Sequence, residues 1–272
     1  MGLRTDLICE QPLYGDSGMP GVIAREHTIG ECKIEQVDIT NSDSSKMLKK
    51  EKGRYFTLSF RQLDTITDTK DIEDAIVYAL TLLLPPTDGN IMVVGLGNRD
   101  ITPDALGPFV ADKIIATRHL QNNIKQRLGL DSLKSVSVLV PGVLGKTGME
   151  ASLTVASTAK ITGTRAVIVI DALAASETSR LCTTVQLTNT GISPGSGVKN
   201  SRKEISHNSL NIPVIAIGIP TVTDVSEDKE NTLMVTPKEI DLFIKISGEM
   251  VARALNRFLQ PYTDSDIITA LS

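Results

Sequence analysis

From residue 54 onward the chain alternates short apolar runs with segments of helical period. "RYFTLSF" (54–60) alternates apolar and polar positions and predicts a strand. "DIEDAIVYALTLLL" (71–84) has apolar residues at helical spacing, acids in its first turn and a stop at Pro85-Pro86, which predicts a helix. "NIMVVGLG" (90–97) is a short buried strand, and "PFVADKIIATRHLQNNI" (108–124) follows as a helix with Pro108 tolerated in its first turn. "SVSVLVPG" (135–142) is a strand, "GMEASLTVASTAKI" (148–161) a helix, and "AVIVIDALAA" (166–175) a β-branched strand running into small residues. "IPVIAIGIPT" (212–221) is another buried strand. The last helix is expected over 236–259, with Thr236 as N-cap, Pro237 at its first position and Glu239 completing a capping box. Strands apolar on both faces, alternating with helices, imply an α/β fold with a mostly parallel sheet and helices on both faces. Residues 7–50 are polar and read as an irregular N-terminal arm ending in the basic cluster "KMLKKEKGR". With no internal repeat or low-complexity linker, residues 7–272 read as a single domain.

Composition narrows the function classes. At 272 residues and 41% hydrophobic the chain can bury a full core. A net charge of −4 gives no reason to expect nucleic acid or an anionic membrane as partner. Cys9, Cys32 and Cys182 are odd in number and widely spaced, which fits a reducing cytosol better than a disulfide framework. His27, His119 and His207 are far apart and no cysteines have CxxC spacing, so neither a zinc site nor any other cofactor is expected. The N-terminus lacks a signal-peptide core, and apolar runs are broken well short of the ~18 residues of a membrane span. A cytoplasmic protein is the expectation. The absence of Trp and an aromatic content of 3% argue against a base-stacking platform.

Two glycine-bearing loops imitate phosphate cradles. In "GLGNRDITPDALGP" (95–108) Asp100 stands where a dinucleotide fingerprint has its third glycine, and an acid there repels a pyrophosphate. In "VPGVLGKTGME" (140–150) Gly145-Lys146-Thr147 copies the tail of a P-loop, but Val140 occupies the first glycine position. The plainer reading is a glycine-rich strand-to-helix turn whose backbone lies near a site.

Two acids carry the chemistry. Asp171 ends "AVIVID" and Asp104 lies beyond "MVVGLG", with Pro103 stiffening its approach and Gly107 permitting a sharp turn into the helix. Ligands of open α/β sheets bind beyond the carboxyl ends of the strands, so adjacency of these two strands puts both carboxylates in one crevice. A close pair cannot ionise freely, so one member can activate water while the other protonates a leaving group. The same acids also suit a divalent metal with a third ligand. Against both stand structural uses: Asp104 at the positive end of the next helix, and Asp171 capping the turn after its strand.

Taken in order, "RTDL" (4–7), "GRYFTL" (53–58), "VVGLGN…TPDALGP" (93–108), "TRHL" (117–120), "VPGVLGKTGME" (140–150), "IDALAA" (170–175), "GISPGSGVKNSRKEIS" (191–206), "IPVIAIGIPTV" (212–222) and "LMVTPKEID" (233–241) resemble the germination proteases of spore-forming bacteria. The resemblance implies an atypical aspartic endopeptidase, with a fold related to hydrogenase maturation proteases, that degrades small acid-soluble spore proteins in the forespore and spore core. It implies catalytic Asp104 and Asp171, synthesis as a zymogen that cuts itself, and a homotetramer. Family substrates are cut after an acid and before a hydrophobic residue, and "TDLICE" (5–10) matches that pattern. Self-cleavage is therefore expected between Asp6 and Leu7, making residues 1–6 a short propeptide, against the alternative of a plain surface arm. The family carries an insert before "LMVTPKE" where this chain has only "TDVSEDKENT" (223–232), a polar loop. Candidate substrate-binding residues are Asn98, Gly142 and Gly145 in the two glycine loops, and Arg202 and Lys203 in a basic loop that also reads as merely solvated. The rival readings are a metal-dependent peptidase or maturation factor using the same acids, and a nucleotide-binding protein using 142–147.

Overall fold

The computed structural model describes residues 5–11, 19–61, 68–120, 125–126, 133–194, 203–225 and 233–260. Its strands are β1 (Val22–Ile29), β2 (Cys32–Ile39), β3 (Gly53–Ser59), β4 (Asn90–Gly95), β5 (Val136–Leu139), β6 (Thr164–Ala175), β7 (Thr184–Thr188), β8 (Val214–Asp224) and β9 (Met234–Val235). They form one sheet in the order β1-β2-β3-β7-β8-β6-β4-β5, with β9 attached to β8. The runs that read as apolar on both faces, β8, β6, β4 and β5, pair in parallel. Through β7, β3, β2 and β1 the sheet continues antiparallel, so it is mixed and the expected parallel stretch is one half of it.

That second half contains the main correction to the sequence reading. The arm expected to be irregular over 7–50 contains the β1–β2 hairpin, turning at Gly30 with φ +53°, and helix α1 (Ser42–Leu48). β1 is an edge strand whose side chains are all at least partly exposed, so its charged residues hide the strand from any pattern that looks for an apolar face. α1 starts where Asn41 accepts the Ser44 amide through its side chain.

Helices cover both faces. α2 (Lys70–Leu83), α3 (Leu106–Ala111) and α7 (Ile240–Leu259) bury Ile76, Val110 and Val251 against Phe56, Val93, Ile168 and Ile217. On the other face α5 (Ala151–Thr162) packs Val155 on Met92, Val94, Val167 and Val169. Two single turns are also helical: α4 (Leu144–Thr147) precedes α5, and α6 (His207–Leu210) precedes β8. Beyond α5 that face is covered by the N-terminal segment. Leu7 packs on Leu173 and Ala175, and Ile8 on Val37, Ile39, Leu48 and Tyr55. Both residues are fully buried, contributing roughly 1.5–3 kcal/mol each.

Two helices are shorter than their periodicity predicts. α3 ends at Ala111 because the following backbone turns to the sheet: the Thr117 and Arg118 amides both donate to Val136 O at 2.9 Å. Residues 121–124 of the expected helix lie outside the described residues. α7 begins at Ile240 and not at Pro237, with no side-chain cap. The expected cap, Thr236, donates its hydroxyl to Thr221 O at 2.7 Å and so ties the chain to β8. Among the described residues no helix is long and apolar enough to cross a membrane.

Candidate active site

The loop after β4 is shaped by contacts that exclude side chains. β4 ends with Gly95 paired to Ile170, and the Leu96 amide donates to Ile170 O at 2.8 Å, which puts Leu96 level with Asp171. Gly97 then takes φ +115°, and a Cβ there would lie 2.0 Å from Asp104 O and 3.1 Å from Asp104 Oδ1. Only glycine lets the chain fold back this way. The Asn98 amide donates to Asp104 O at 3.0 Å, the Asp104 amide to Ile101 O at 2.8 Å, and Thr102–Asp104 closes as a 3-10 turn. Pro103 O accepts the Thr221 hydroxyl at 2.7 Å, anchoring the turn to β8. Asp104 is thus held against Gly97 at the carboxyl end of β4.

Gly107 has a different task from the one its sequence context suggests. Its φ is not positive, so it makes no special turn. A Cβ on Gly107 would meet Leu96 O at 2.2 Å and Ile170 O at 2.5 Å, and one on Gly95 would meet Gly107 O at 2.3 Å. Backbone packs on backbone, which brings α3 and the turn before it down onto β4 and β6.

Asp171 does not end its strand. β6 runs on to Ala175 alongside β8, with Asp171 opposite Gly218, while its other neighbour β4 stops at Gly95. The acid therefore sits where β6 loses one partner and keeps the other. It is 6% exposed, and its Oδ1 accepts the Ala172 amide at 2.9 Å. Strand alternation puts Asp171 on the α5 face with Val169 and Leu173. The adjacency of β4 and β6 on which the shared-crevice argument depended is present, in parallel register.

On that same face lies the segment holding Asp6 and Leu7. The Asp6 amide donates to Ala174 O at 2.9 Å, and Asp6 Oδ2 accepts the Ala174 amide at 2.8 Å. Glu10 accepts the amides of Ser176 at 2.8 Å and Glu177 at 3.0 Å. Asp6 O accepts Lys50 Nζ at 2.6 Å and Gln186 Nε2 at 3.0 Å, while Gln186 Oε1 accepts the Ile8 amide at 2.7 Å. Burial lowers the pKa of the Lys50 ammonium, and Asp6, Cys9 and Glu10 pull it back up. The segment is docked, contrary to the surface-arm reading. Sequence reasoning missed Lys50 and Gln186. Lys50 lies in a basic cluster at the end of an arm read as irregular, but Gln186 left a signal as a polar residue inside the run "TTVQLT".

The remaining candidates fall elsewhere. Asn98 Oδ1 accepts the Asp100 amide at 3.1 Å, serving its own loop. Gly142, with φ +74°, begins the turn into α4, where Gly145 is exposed with nothing within 4 Å of a Cβ. Lys146 forms an ion pair with Asp100, so each phosphate-loop imitation supplies one half of a surface contact between the two loops. Lys203 is exposed, and Arg202 lies outside the described residues. Among the described residues no three His, Cys, Asp or Glu side chains group as metal ligands. The cysteines are free, and burial raises the thiols of Cys32 and Cys182 to about 12 and that of Cys9 to about 11.

Comparison with known proteins matches residues 9–232 to the germination protease family. The germination protease of Caldanaerobacter subterraneus subsp. tengcongensis is 37% identical over 311 residues, covering 96% of this chain and 95% of its own. That span exceeds the 272 residues here, so the relative carries segments with no counterpart in this chain. The Priestia megaterium germination protease is 39% identical over 90% of this chain and 68% of its own, and that of Clostridium tetani 32% identical over 99% of both. Among solved structures, the [NiFe] hydrogenase maturation protease HycI of Thermococcus kodakarensis KOD1 is similar over 66% of this chain and 98% of its own, at 16% identity and a TM-score of 0.38. A family match across most of the chain, with two of these relatives matched over 95% and 99% of their own length, makes this chain a member of the germination protease family and a protease.

Proposed function

We propose that the chain is a self-processing endopeptidase of the spore interior that hydrolyses small acid-soluble spore proteins with Asp104 and Asp171 as its working pair. The observation that carries the reading is the adjacency of β4 and β6, with Asp104 folded against Gly97 and Asp171 level with Leu96 on the next strand. Parallel strands stand about 4.8 Å apart. One carboxylate takes a proton from water as its oxygen adds to the peptide carbonyl, and the other gives a proton to the departing nitrogen. The two act as a unit, so the roles belong to the pair. Cleavage after an acid and before a hydrophobic residue is supported by the chain's own Asp6-Leu7, whose leucine is buried against Leu173 and Ala175. Asn98, Gly142, Gly145, Arg202 and Lys203 are assigned to substrate contact. Assembly into tetramers is supported by the outward Met149, Leu153 and Ile161, which are 56%, 55% and 81% exposed around α5.

Asp104→Asn and Asp171→Asn test the pair. Each is expected to lower kcat on a small acid-soluble spore protein by roughly 10⁴-fold with the fold intact, and wild-type activity is expected to survive exhaustive chelation. Retained activity in either variant removes that residue from the chemistry, and loss on chelation transfers the reaction to a metal.

A further inference from the structure

The peptide bond between Asp6 and Leu7 is gripped by side chains on its oxygen. Two donors from different parts of the fold converge on Asp6 O: Lys50 Nζ at 2.6 Å and Gln186 Nε2 at 3.0 Å. Across the bond, the Leu7 amide donates to Thr5 Oγ1 at 2.9 Å. One residue further on, the Ile8 amide donates to Gln186 Oε1 at 2.7 Å, so one side-chain amide brackets Leu7 from both sides. Neither donor is on a flexible tail. Gln186 is 7% exposed and central in β7, and Lys50 comes just after α1, with Leu48 packed under Ile8. Gln186 is also placed relative to Asp171. Gly218 pairs with Asp171 on one side and with Gln186 on the other, so the three form one row across β6, β8 and β7 on a single face. Gly218 contributes no side chain to that row. Leu173 lies over it, and Leu7 rests on Leu173. The acid and the amide thus stand on one face, two strands apart, and Leu7 packs on that face through Leu173.

From this convergence we infer that Lys50 and Gln186 are the electrophilic half of the self-cleavage site, polarising the Asp6 carbonyl and receiving its charge. The inference rests on the reading that the chain cuts itself between Asp6 and Leu7. A water oxygen forms a bond to Asp6 C while the water's proton passes to the carboxylate pair, and the C=O π electrons move onto Asp6 O. That oxygen carries the negative charge, met by an ammonium and an amide N–H already at hydrogen-bond distance. Collapse restores the C=O and breaks the bond to Leu7 N, which takes a proton from the acid. One water is consumed, leaving the Asp6 carboxyl and a free Leu7 amine. Donors already aimed where charge develops need no reorganisation during the reaction, which is why such groups carry a large share of catalysis.

The test tracks cleavage of the full-length chain at Asp6–Leu7 by intact mass, alongside the urea midpoint and amide exchange at Leu7 and Ile8. Lys50→Met is expected to slow cleavage by about 10²–10³-fold, with unchanged midpoint and Ile8 still protected. Lys50→Arg, which keeps a charged donor, is expected to recover cleavage to within about tenfold of wild type. Gln186→Glu keeps an acceptor for the Ile8 amide and loses the donor, so it is expected to slow cleavage similarly; if Lys50→Met fails to fold, this variant decides. Cleavage of Lys50→Met or Gln186→Glu at near the wild-type rate overturns the inference. So does slow cleavage with fast exchange at Ile8, which would mean the residues only seat the segment. A wild-type chain that is never cut at Asp6–Leu7 is a separate result: it overturns the self-processing reading, and this inference with it.

Discussion

Replacing Gly107 with alanine tests whether backbone-to-backbone packing places Asp104. The added Cβ would lie 2.2 Å from Leu96 O, 2.5 Å from Ile170 O and 2.6 Å from Leu96 N, where ordinary contact begins at 3.4 Å. All three are backbone atoms of the β4–β6 end and cannot rotate aside, so α3 must retreat by about 1.2 Å, the difference between 3.4 and 2.2 Å. Overpacking of this kind costs about 1–3 kcal/mol. The retreat also loosens Leu106 and Val110, both fully buried. Alanine's better helix propensity returns up to about 1 kcal/mol, for a net loss of roughly 1–2 kcal/mol. The catalytic consequence is larger. Asp104, a proposed catalytic aspartate, is three residues upstream on the 3-10 turn before α3, and a misplacement near 1 Å costs on the order of 10²-fold in rate. Urea unfolding gives the stability change, and kcat/KM on a spore-protein peptide gives the catalytic one. A variant within about 0.5 kcal/mol and twofold of wild type would show that α3 is not held by this contact, and the account of how Asp104 is positioned would fall.

Ile8→Ala is expected to cost about 3 kcal/mol by urea denaturation, because Ile8 is buried among Val37, Ile39, Leu48 and Tyr55; a change under about 0.5 kcal/mol would return the N-terminal segment to a surface arm. Gly145→Ala, in a helical turn with nothing within 4 Å of the new Cβ, is expected to raise stability by up to about 1 kcal/mol, and an accompanying rise in KM assigns Gly145 to substrate binding. Cys32 and Cys182 are held up at about 12 by burial, against 9.0 unperturbed. Below pH 9 both states keep these protons and stability is full; above it the unfolded chain releases them first, so stability falls as pH rises toward 12. Between pH 8 and 10.5 the loss is about 2 kcal/mol per thiol. The wild type's advantage over the Cys32→Ala, Cys182→Ala double variant should therefore shrink over that range in paired urea titrations, and a constant gap contradicts it.

Hydrophobic patterning alone determined the parallel half of this protein. β4, β6 and β8 are buried on both faces along most of their length, and a strand with no polar side leaves a short, β-branched apolar run in the sequence. The long helices α2 and α7 were legible for the same reason, and the strand ends drew attention to Asp104 and Asp171. The resemblance of the motifs to germination proteases identified the family independently of any geometry. Tertiary structure decided the rest, because those features depend on what lies opposite. β1 and β2 are strands because β3 offers an edge, although β1 has no buried face of its own. Thr236 gives its hydroxyl to β8 and not to a helix cap because the end of β8 passes beside it. Gly107 serves close approach, a property of the sheet beneath it and not of its own dihedral angles. Lys50 and Gln186, 136 residues apart in sequence, meet on one carbonyl only after β3 and β7 pair and the N-terminal segment settles across them. Periodicity records which side of an element is dry. It contains nothing about which polar group waits across the sheet.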